Sequence, residues 1–321
     1  MKHKILKLLI AVLFIGTPLT AYTQNPGGSE SGFSGSLQGG AYILQTDSQL
    51  YADDNNRRTN DLDGPADTDG EIEELASISL RYQFEGGTAV YAGNPLEVGE
   101  DLSLAAGVSQ PIGNSTLDVA VTWTPTSDVW KNPYQTGSGR VKTDAETRGL
   151  RFQLQEIAGS PWEAIYNINR IDIEDDEIGD LENDLKRDGY THELGVKYNL
   201  PLQQGVILRP AVSYTYGDIE GRSNRYHSIK IGVLLKRVQP PWVLIGLVSG
   251  FHGQSQQTHP LFDKTRQESG MFTFAQVMRL NLFGVERLFA NFGAGYVRSE
   301  ANIDFFDRQT VIGLASVGIN F

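Results

Sequence analysis

The sequence contains no cysteine, so a disulfide framework, a thiolate nucleophile and a thiolate metal site are all excluded. Histidine is nearly as scarce. Beyond His3 there are only His192, His227, His252 and His259, which leaves few anchors for general acid–base chemistry. A surplus of basic residues is missing too: the formal net charge is -12, and a nucleic-acid partner, which needs a basic surface against its phosphates, is not expected. Nor does a long apolar run occur after the amino terminus. The apolar stretch 5–15, interrupted only by Lys7, falls short of the about 20 residues that a membrane-spanning helix requires.

What is present begins with that stretch. Lys2, His3 and Lys4 precede it and a small, polar segment, 17–24, follows, the pattern of a secretory signal peptide cleaved near 21–24. The expected organisation is a signal peptide over 1–23, a short periplasmic segment over 24–31 and a single domain over 32–321. The acids are concentrated: nine fall in 53–74 and nine in 172–188, each set opposed by two basic residues, so the remainder is near neutral.

Through the mature chain, hydropathy alternates with a period of two. Tyr190, His192, Leu194, Val196, Tyr198 and Leu200 are interleaved with Thr191, Glu193, Gly195, Lys197 and Asn199, and Leu117, Val119, Val121 and Trp123 with Asp118, Ala120 and Thr122. Such segments are strands with one apolar and one wet face. About 14 of them, with about 12 or 16 as alternatives, are expected between Gly32 and Phe321. Tight Gly- and Pro-rich turns at 85–88, 112–114, 159–161, 201–205, 239–241 and 283–286 alternate with mostly longer connections near 47–71, 95–100, 126–146, 173–188, 218–224, 253–268 and 299–306. Short turns at one rim and long loops at the other describe an all-β, transmembrane antiparallel up-and-down β-barrel.

A soluble β-sandwich shares the alternation. It does not account for aromatics near strand ends, namely Tyr82, Phe84, Tyr214, Tyr216, Trp242, Phe272 and Phe274, which suit interfacial girdles. Nor does it account for the ending Val317-Gly318-Ile319-Asn320-Phe321, an alternating strand whose terminal aromatic resembles the assembly signal of bacterial outer-membrane barrels. Val317, Ile319 and Phe321 are expected to face lipid and Gly318 and Asn320 the lumen. This strand must pair with the one starting near Gly32, because an open edge cannot be left in lipid.

With the apolar set turned outward on each strand, the lumen-lining charges are Arg81, Arg151, Lys197, Arg209, Lys230 and Arg279 against Asp118, Glu163 and Glu193. The wall is then modestly basic beneath an acidic mouth. Either it lines a water-filled pore favouring anionic or zwitterionic solutes, or the charges pair across strands and fill the interior. The loop 126–147 carries Trp130, Lys131, Pro133, Tyr134 and Arg140, a composition that orders a loop. Folded inward, Trp130, Lys131, Tyr134 and Arg140 would constrict the pore; folded outward, they would brace neighbouring loops.

No catalytic, metal or cofactor residue is assigned. His252 and His259 are the histidines placed to act, with Ser255 and Asp263 nearby, but such a trio in a polar loop is too common to carry a site. Asp67-Thr68-Asp69-Gly70 lacks the third acid of an EF-hand loop and has its Gly too early, and Glu174, Asp175, Asp176 and Glu177 leave a looser divalent-ion role open. With only 25–31 before the first strand, a TonB-dependent plug has no room, and the plug of fatty-acid transporters meets the same shortage.

The segment from Val129 to Tyr134, Arg140, Thr143-Asp144, Gly159-Ser160-Pro161 and Arg187-Asp188-Gly189 resemble an uncharacterised family of Gram-negative outer-membrane barrels known only as a domain of unknown function. The resemblance spans nearly all of the chain from Gly32. It implies a barrel and brings no substrate, cofactor or catalytic residue. The expectation is therefore an exported, monomeric, non-enzymatic barrel of the Gram-negative outer membrane that acts as a porin-like passive channel for small solutes. A non-conducting structural or adhesive barrel and an outer-membrane hydrolase are the alternatives. Its expected partners are outer-membrane lipids, lipopolysaccharide and, through Phe321, the barrel-assembly machinery.

Overall fold

The computed structural model describes residues 31–59, 61–94 and 103–321. The predicted signal peptide, the 24–31 segment up to Glu30 and the 95–100 loop lie outside the described residues. The strands are β1 (Gly32–Thr46), β2 (Asp69–Gln83), β3 (Ala89–Gly93), β4 (Leu104–Ile112), β5 (Ser115–Trp130), β6 (Lys142–Gln155) and β7 (Trp162–Ile173). Then follow β8 (Gly189–Tyr198, with a continuation Leu200–Gln203 after a break at Asn199), β9 (Val206–Ile219), β10 (Tyr226–Gln239), β11 (Trp242–His259), β12 (Lys264–Leu280), β13 (Leu288–Ala301) and β14 (Arg308–Asn320).

Every strand pairs antiparallel with its neighbours in sequence, and β1 pairs with β14 from Ser36↔Asn320 to Thr46↔Thr310. The result is a closed, up-and-down transmembrane barrel of 14 strands, which leaves no ladder edge facing lipid. At the seam the Gly35 amide donates to the Phe321 carbonyl at 2.8 Å and the Phe321 amide returns the bond at 3.0 Å. The Phe321 ring stacks on Phe33 with centroids 5.8 Å apart. Val317, Ile319 and Phe321 are exposed on the outer surface, whereas Ser316 and Gly318 are buried within.

The start of β1 and the end of β14 share a rim with the tight turns, and the longer connections lie at the other rim. Several strands run further than expected there. β11 and β12 continue through the predicted loop 253–268 until only 260–263 remain between them, and β5 and β6 extend to Trp130 and from Lys142. The outward residues of β11 explain this: Trp242, Leu244 and Val248 are followed by His252, Gln254 and Gln256. The lipid-facing band ends near residue 250, and the remaining strand rises into water. There the backbone ladder persists but the outer face no longer has to be apolar, so the alternation that marks a strand disappears.

One assignment of lumen-facing charge is corrected. Arg279 lies on the outward row of β12, its guanidinium 5.2 Å from the centroid of the Trp242 ring. Phe272 and Phe274, both expected in a girdle, face the barrel interior instead, Phe272 buried and Phe274 partly buried, beside the buried Met278. They pack with Leu234, Val243, Ile245, Leu247, Phe289 and Val297 as an apolar sector of the inner wall. Because Met271, Ala275 and Val277 occupy the other face of β12, both faces of this strand are apolar, and polarity cannot distinguish lumen from lipid. Arg279 sits near the tight-turn rim, where a long cationic side chain reaches the interface while its stem covers apolar surface.

Candidate functional site in the lumen and its external cap

The inner wall from β2 to β9 carries charges in hydrogen-bonded sets. Tyr91 Oη donates to Asp118 Oδ1 at 2.6 Å, Arg151 Nη2 donates to Tyr91 Oη at 3.2 Å, and Arg151 lies 4.0 Å from Asp118. Arg81 adds its positive charge to this set. Further round, Glu163 accepts from Gln153 Nε2 at 3.2 Å and from Asn199 Nδ2, and Asn199 Oδ1 accepts from Arg209 Nε at 2.5 Å. Lys197, buried, sits opposite Glu163 in register, and Glu193 accepts from Asn167 Nδ2 at 2.9 Å. These residues all face inward, and much of their charge is met laterally by neighbours on the wall.

From β9 to β14 the wall differs. Arg209, Lys230, Lys236, Arg266 and Arg308 face inward, and among the described residues Glu268 is the inward carboxylate on these strands. Lys236 was within reach of the sequence, since it continues the β10 alternation by three further pairs of positions. Arg266 and Glu268 were not, because they fall within 253–268, which reads as a loop, and Arg308 opens its strand just beyond the expected loop 299–306, before the alternation is established. Lys230, Arg266, Glu268 and Arg308 line a cavity of about 250 Å³ with Phe251 and Phe272.

Above this cavity the external connections pack into a cap. Arg140, with no exposed surface, is its hub. Its Nη1 donates to the Gln49 carbonyl at 3.0 Å, Gln49 Oε1 at 3.3 Å and the Pro133 carbonyl at 3.1 Å; its Nη2 donates to Asn56 Oδ1 at 2.8 Å and to the Asn56 carbonyl. The guanidinium also stacks 4.6 Å from the centroid of the buried Trp130 ring. Burial lowers its pKa to about 10, so it remains charged at neutral pH. The β1–β2 loop is thereby clamped to the β5–β6 loop through carbonyl and amide dipoles.

The cap spans the mouth. Tyr134 of the β5–β6 loop meets His259, Phe262 and Phe305, with ring centroids 5.1, 5.9 and 5.0 Å away. His259 and Phe262 belong to the β11–β12 hairpin, which stands on nearly the opposite side of the ring from β5 and β6. Ile303, Phe305 and Phe306, from the β13–β14 turn, complete the cluster with Leu62. On the other flank the acidic β7–β8 loop is braced: Arg187 donates to Asp176 at 2.7 Å and to the carbonyls of Trp130 at 2.8 Å and Lys131 at 3.0 Å, while Lys131 pairs with Asp175. Trp130, Tyr134 and Arg140 are therefore consumed in holding loops to one another across the opening, and Lys131 in a rim ion pair.

The hydrolase trio does not assemble. His252 points outward and bonds Ser269 Oγ at 2.8 Å, Ser255 points inward, and His259 is engaged in the cap. Leu261 N–H donates to His259 Nδ1 at 3.3 Å, which leaves Nε2 to donate to Tyr134 Oη at 3.0 Å, the pattern of a neutral ring. Burial, with a smaller contribution from the Arg266 charge, lowers the His259 pKa from 6.5 to about 4. The unfolded cap then binds more protons than the folded cap, so its stability falls as pH drops through 6.5 and levels off below about 4, by at most ~3 kcal/mol. Protection factors of cap amides, taken relative to intrinsic exchange at each pH, should fall as pH drops through that window, and His259→Gln should flatten the profile. An unchanged profile in the variant would assign the pH response elsewhere.

A family model described as "Protein of unknown function (DUF2860)" matches residues 32–321. No curated protein matches the sequence. Among solved structures, the chain is similar to OmpT, an outer membrane protein of Vibrio cholerae, at 11% identity, with 91% of this chain and 97% of that chain covered and a TM-score of 0.45. It is similar to an anion-selective porin from Comamonas acidovorans at 8% identity, with 91% and 100% covered and a TM-score of 0.43. It is also similar to the outer membrane protein OprD from Pseudomonas aeruginosa at 11% identity, with 90% and 94% covered and a TM-score of 0.40.

Proposed function

This chain belongs to the family of unknown function DUF2860, and we propose that it serves in the Gram-negative outer membrane as a narrow, porin-like channel for small solutes, favouring anions. The observation that carries the reading is the inner wall from β9 to β14, where Arg209, Lys230, Lys236, Arg266 and Arg308 face inward with Glu268. A one-sided run of cations along a low-dielectric lumen raises the local concentration of anions and lowers that of cations. The cap narrows the external mouth and sets a small conductance. Export by the 1–23 signal and insertion through the Phe321 strand belong to the same proposal, as does the absence of enzymatic activity.

A second reading has a specific observation behind it. The cap crossing the mouth and the lateral pairing of Asp118 and Glu163 suit a barrel without an open pore, acting in envelope structure or adhesion. Planar-bilayer recordings on the refolded barrel distinguish the two. The channel predicts small ohmic steps whose reversal potential in a salt gradient has the anion-selective sign. A heat-modifiable, folded barrel that passes no current would select the non-conducting reading, and cation selectivity would mean that the acidic exterior outweighs the wall.

A further inference from the structure

The cavity of about 250 Å³ beneath the cap has the features of a discrete site rather than a stretch of pore. Ser255, 3% exposed, turns its hydroxyl into the cavity wall without a hydrogen-bond partner, and so does the buried Nε–H of Arg308. A buried polar group without a partner is unfavourable, so two at one cavity mark a place where a ligand or ordered water completes the bonding. Arg308 lies 3.7 Å from Glu268, which accepts from Ser299 Oγ at 2.5 Å. Glu268 is thus already engaged from two sides, and the cavity holds three cationic side chains, Lys230, Arg266 and Arg308, against that one carboxylate.

The rest of the lining combines three aromatic rings with the hydroxyls of Thr215, Ser228 and Ser249. Phe251, Phe272 and Tyr226 line the cavity, and Arg266 closes it on the cap side, its guanidinium 4.5 Å from the centroid of the Phe306 ring. The volume falls below the roughly 300–1,000 Å³ of pockets for drug-sized ligands. Guanidinium groups bind carboxylates through paired N–H donors, hydroxyls add orientation, and aromatic walls favour a flat apolar body. We propose that this cavity binds a small monocarboxylate with a flat, apolar or aromatic body, its carboxylate held by Arg308, Arg266 and Ser255 and its body between Phe251 and Phe272. The site rests on the channel reading only for the route by which the solute arrives.

The test is calorimetric titration of the refolded, detergent-solubilised barrel with sodium benzoate, alongside benzamide and benzylamine of the same shape. Saturable benzoate binding is expected, with benzamide weaker by roughly tenfold and benzylamine without measurable affinity. Arg266→Gln should weaken benzoate by roughly tenfold, and Ser255→Ala, which leaves every charge and the cap in place, by a few-fold. Absence of saturable binding overturns the site, as does equal affinity for the three probes or unchanged affinity in both variants. If Arg266→Gln loses heat-modifiability, Ser255→Ala decides alone. Binding in detergent does not depend on conduction. A silent barrel that binds benzoate therefore overturns the channel and keeps the site, and a conducting barrel that does not bind it does the reverse.

Discussion

Replacing Arg140 with alanine is expected to release the external cap while leaving the barrel folded. The guanidinium supplies the N–H groups that bind Gln49, Asn56 and Pro133, and it covers Trp130. Hydrogen bonds from a charged donor contribute about 1.5–3 kcal/mol each, and removing the donor strands buried carbonyls at the same time. The side chain has no carboxylate partner among these contacts, so its loss leaves no unpaired buried charge. A cost of about 3–5 kcal/mol to the cap follows, enough to open loops that cross a mouth without a ladder of their own.

Trp130 reports the opening directly. Trp123, Trp162 and Trp242 are exposed on the outer surface, and Trp130 alone among the tryptophans is buried in the cap. In a barrel with the other three changed to phenylalanine, Arg140→Ala should red-shift the emission, expose Arg57 and Lys142 to trypsin and raise single-channel conductance several-fold. Arg140→Lys should fall between, because an ammonium keeps the charge but cannot fork to two loops. Unchanged emission and protease resistance would mean that the cap is held by the Tyr134 cluster without the clamp.

The second large effect is expected at the seam. Gly40 lies opposite Ser316 where β1 meets β14, and a Cβ there would run into the Ala315 carbonyl and stand 2.6 Å from Ser316 Cα. Both obstacles are backbone, so relief requires the two strands to part. Overpacking in a well-fitted core already costs about 1–3 kcal/mol. Here the displaced atoms also belong to the ladder that closes the barrel, and each unpaired backbone group at that depth costs further. Gly40→Val should therefore prevent closure, seen as loss of the compact, heat-modifiable band and of protease resistance. Gly39, one residue earlier and facing outward, has nothing within 4 Å of its Cβ position. Gly39→Val should fold normally, which separates a steric block at the seam from a general intolerance of valine in β1.

The architecture was largely legible because lipid imposes a rule that each strand must obey independently. Tyr190, His192, Leu194 and Val196 face outward wherever their partners are, and the turns at one rim and loops at the other follow from that. The candidate site was legible only in part. Arg81, Asp118, Arg151, Glu163, Glu193, Lys197, Arg209 and Lys230 face the lumen, since each stands on a strand with one apolar face. Arg279 does not, because β12 is apolar on both faces and the decision between them depends on which neighbours fill the inner wall. Arg266, Glu268 and Arg308 escaped notice because strands above the membrane, wetted on the outside, lose the alternation that identifies them.

By itself, then, the sequence determined a closed antiparallel barrel of about 14 strands and the outward set of its terminal strand, because solvation by lipid acts on single residues and writes a period of two into the chain. The tertiary structure alone decided what the polar residues do. The pairing of Arg151 with Asp118, the clamp of Arg140 on Gln49 and Asn56, the closure of Tyr134 on His259 and the cationic cavity at Arg266 and Arg308 are contacts between residues far apart in sequence. Their energies depend on distance and burial, which no local pattern encodes.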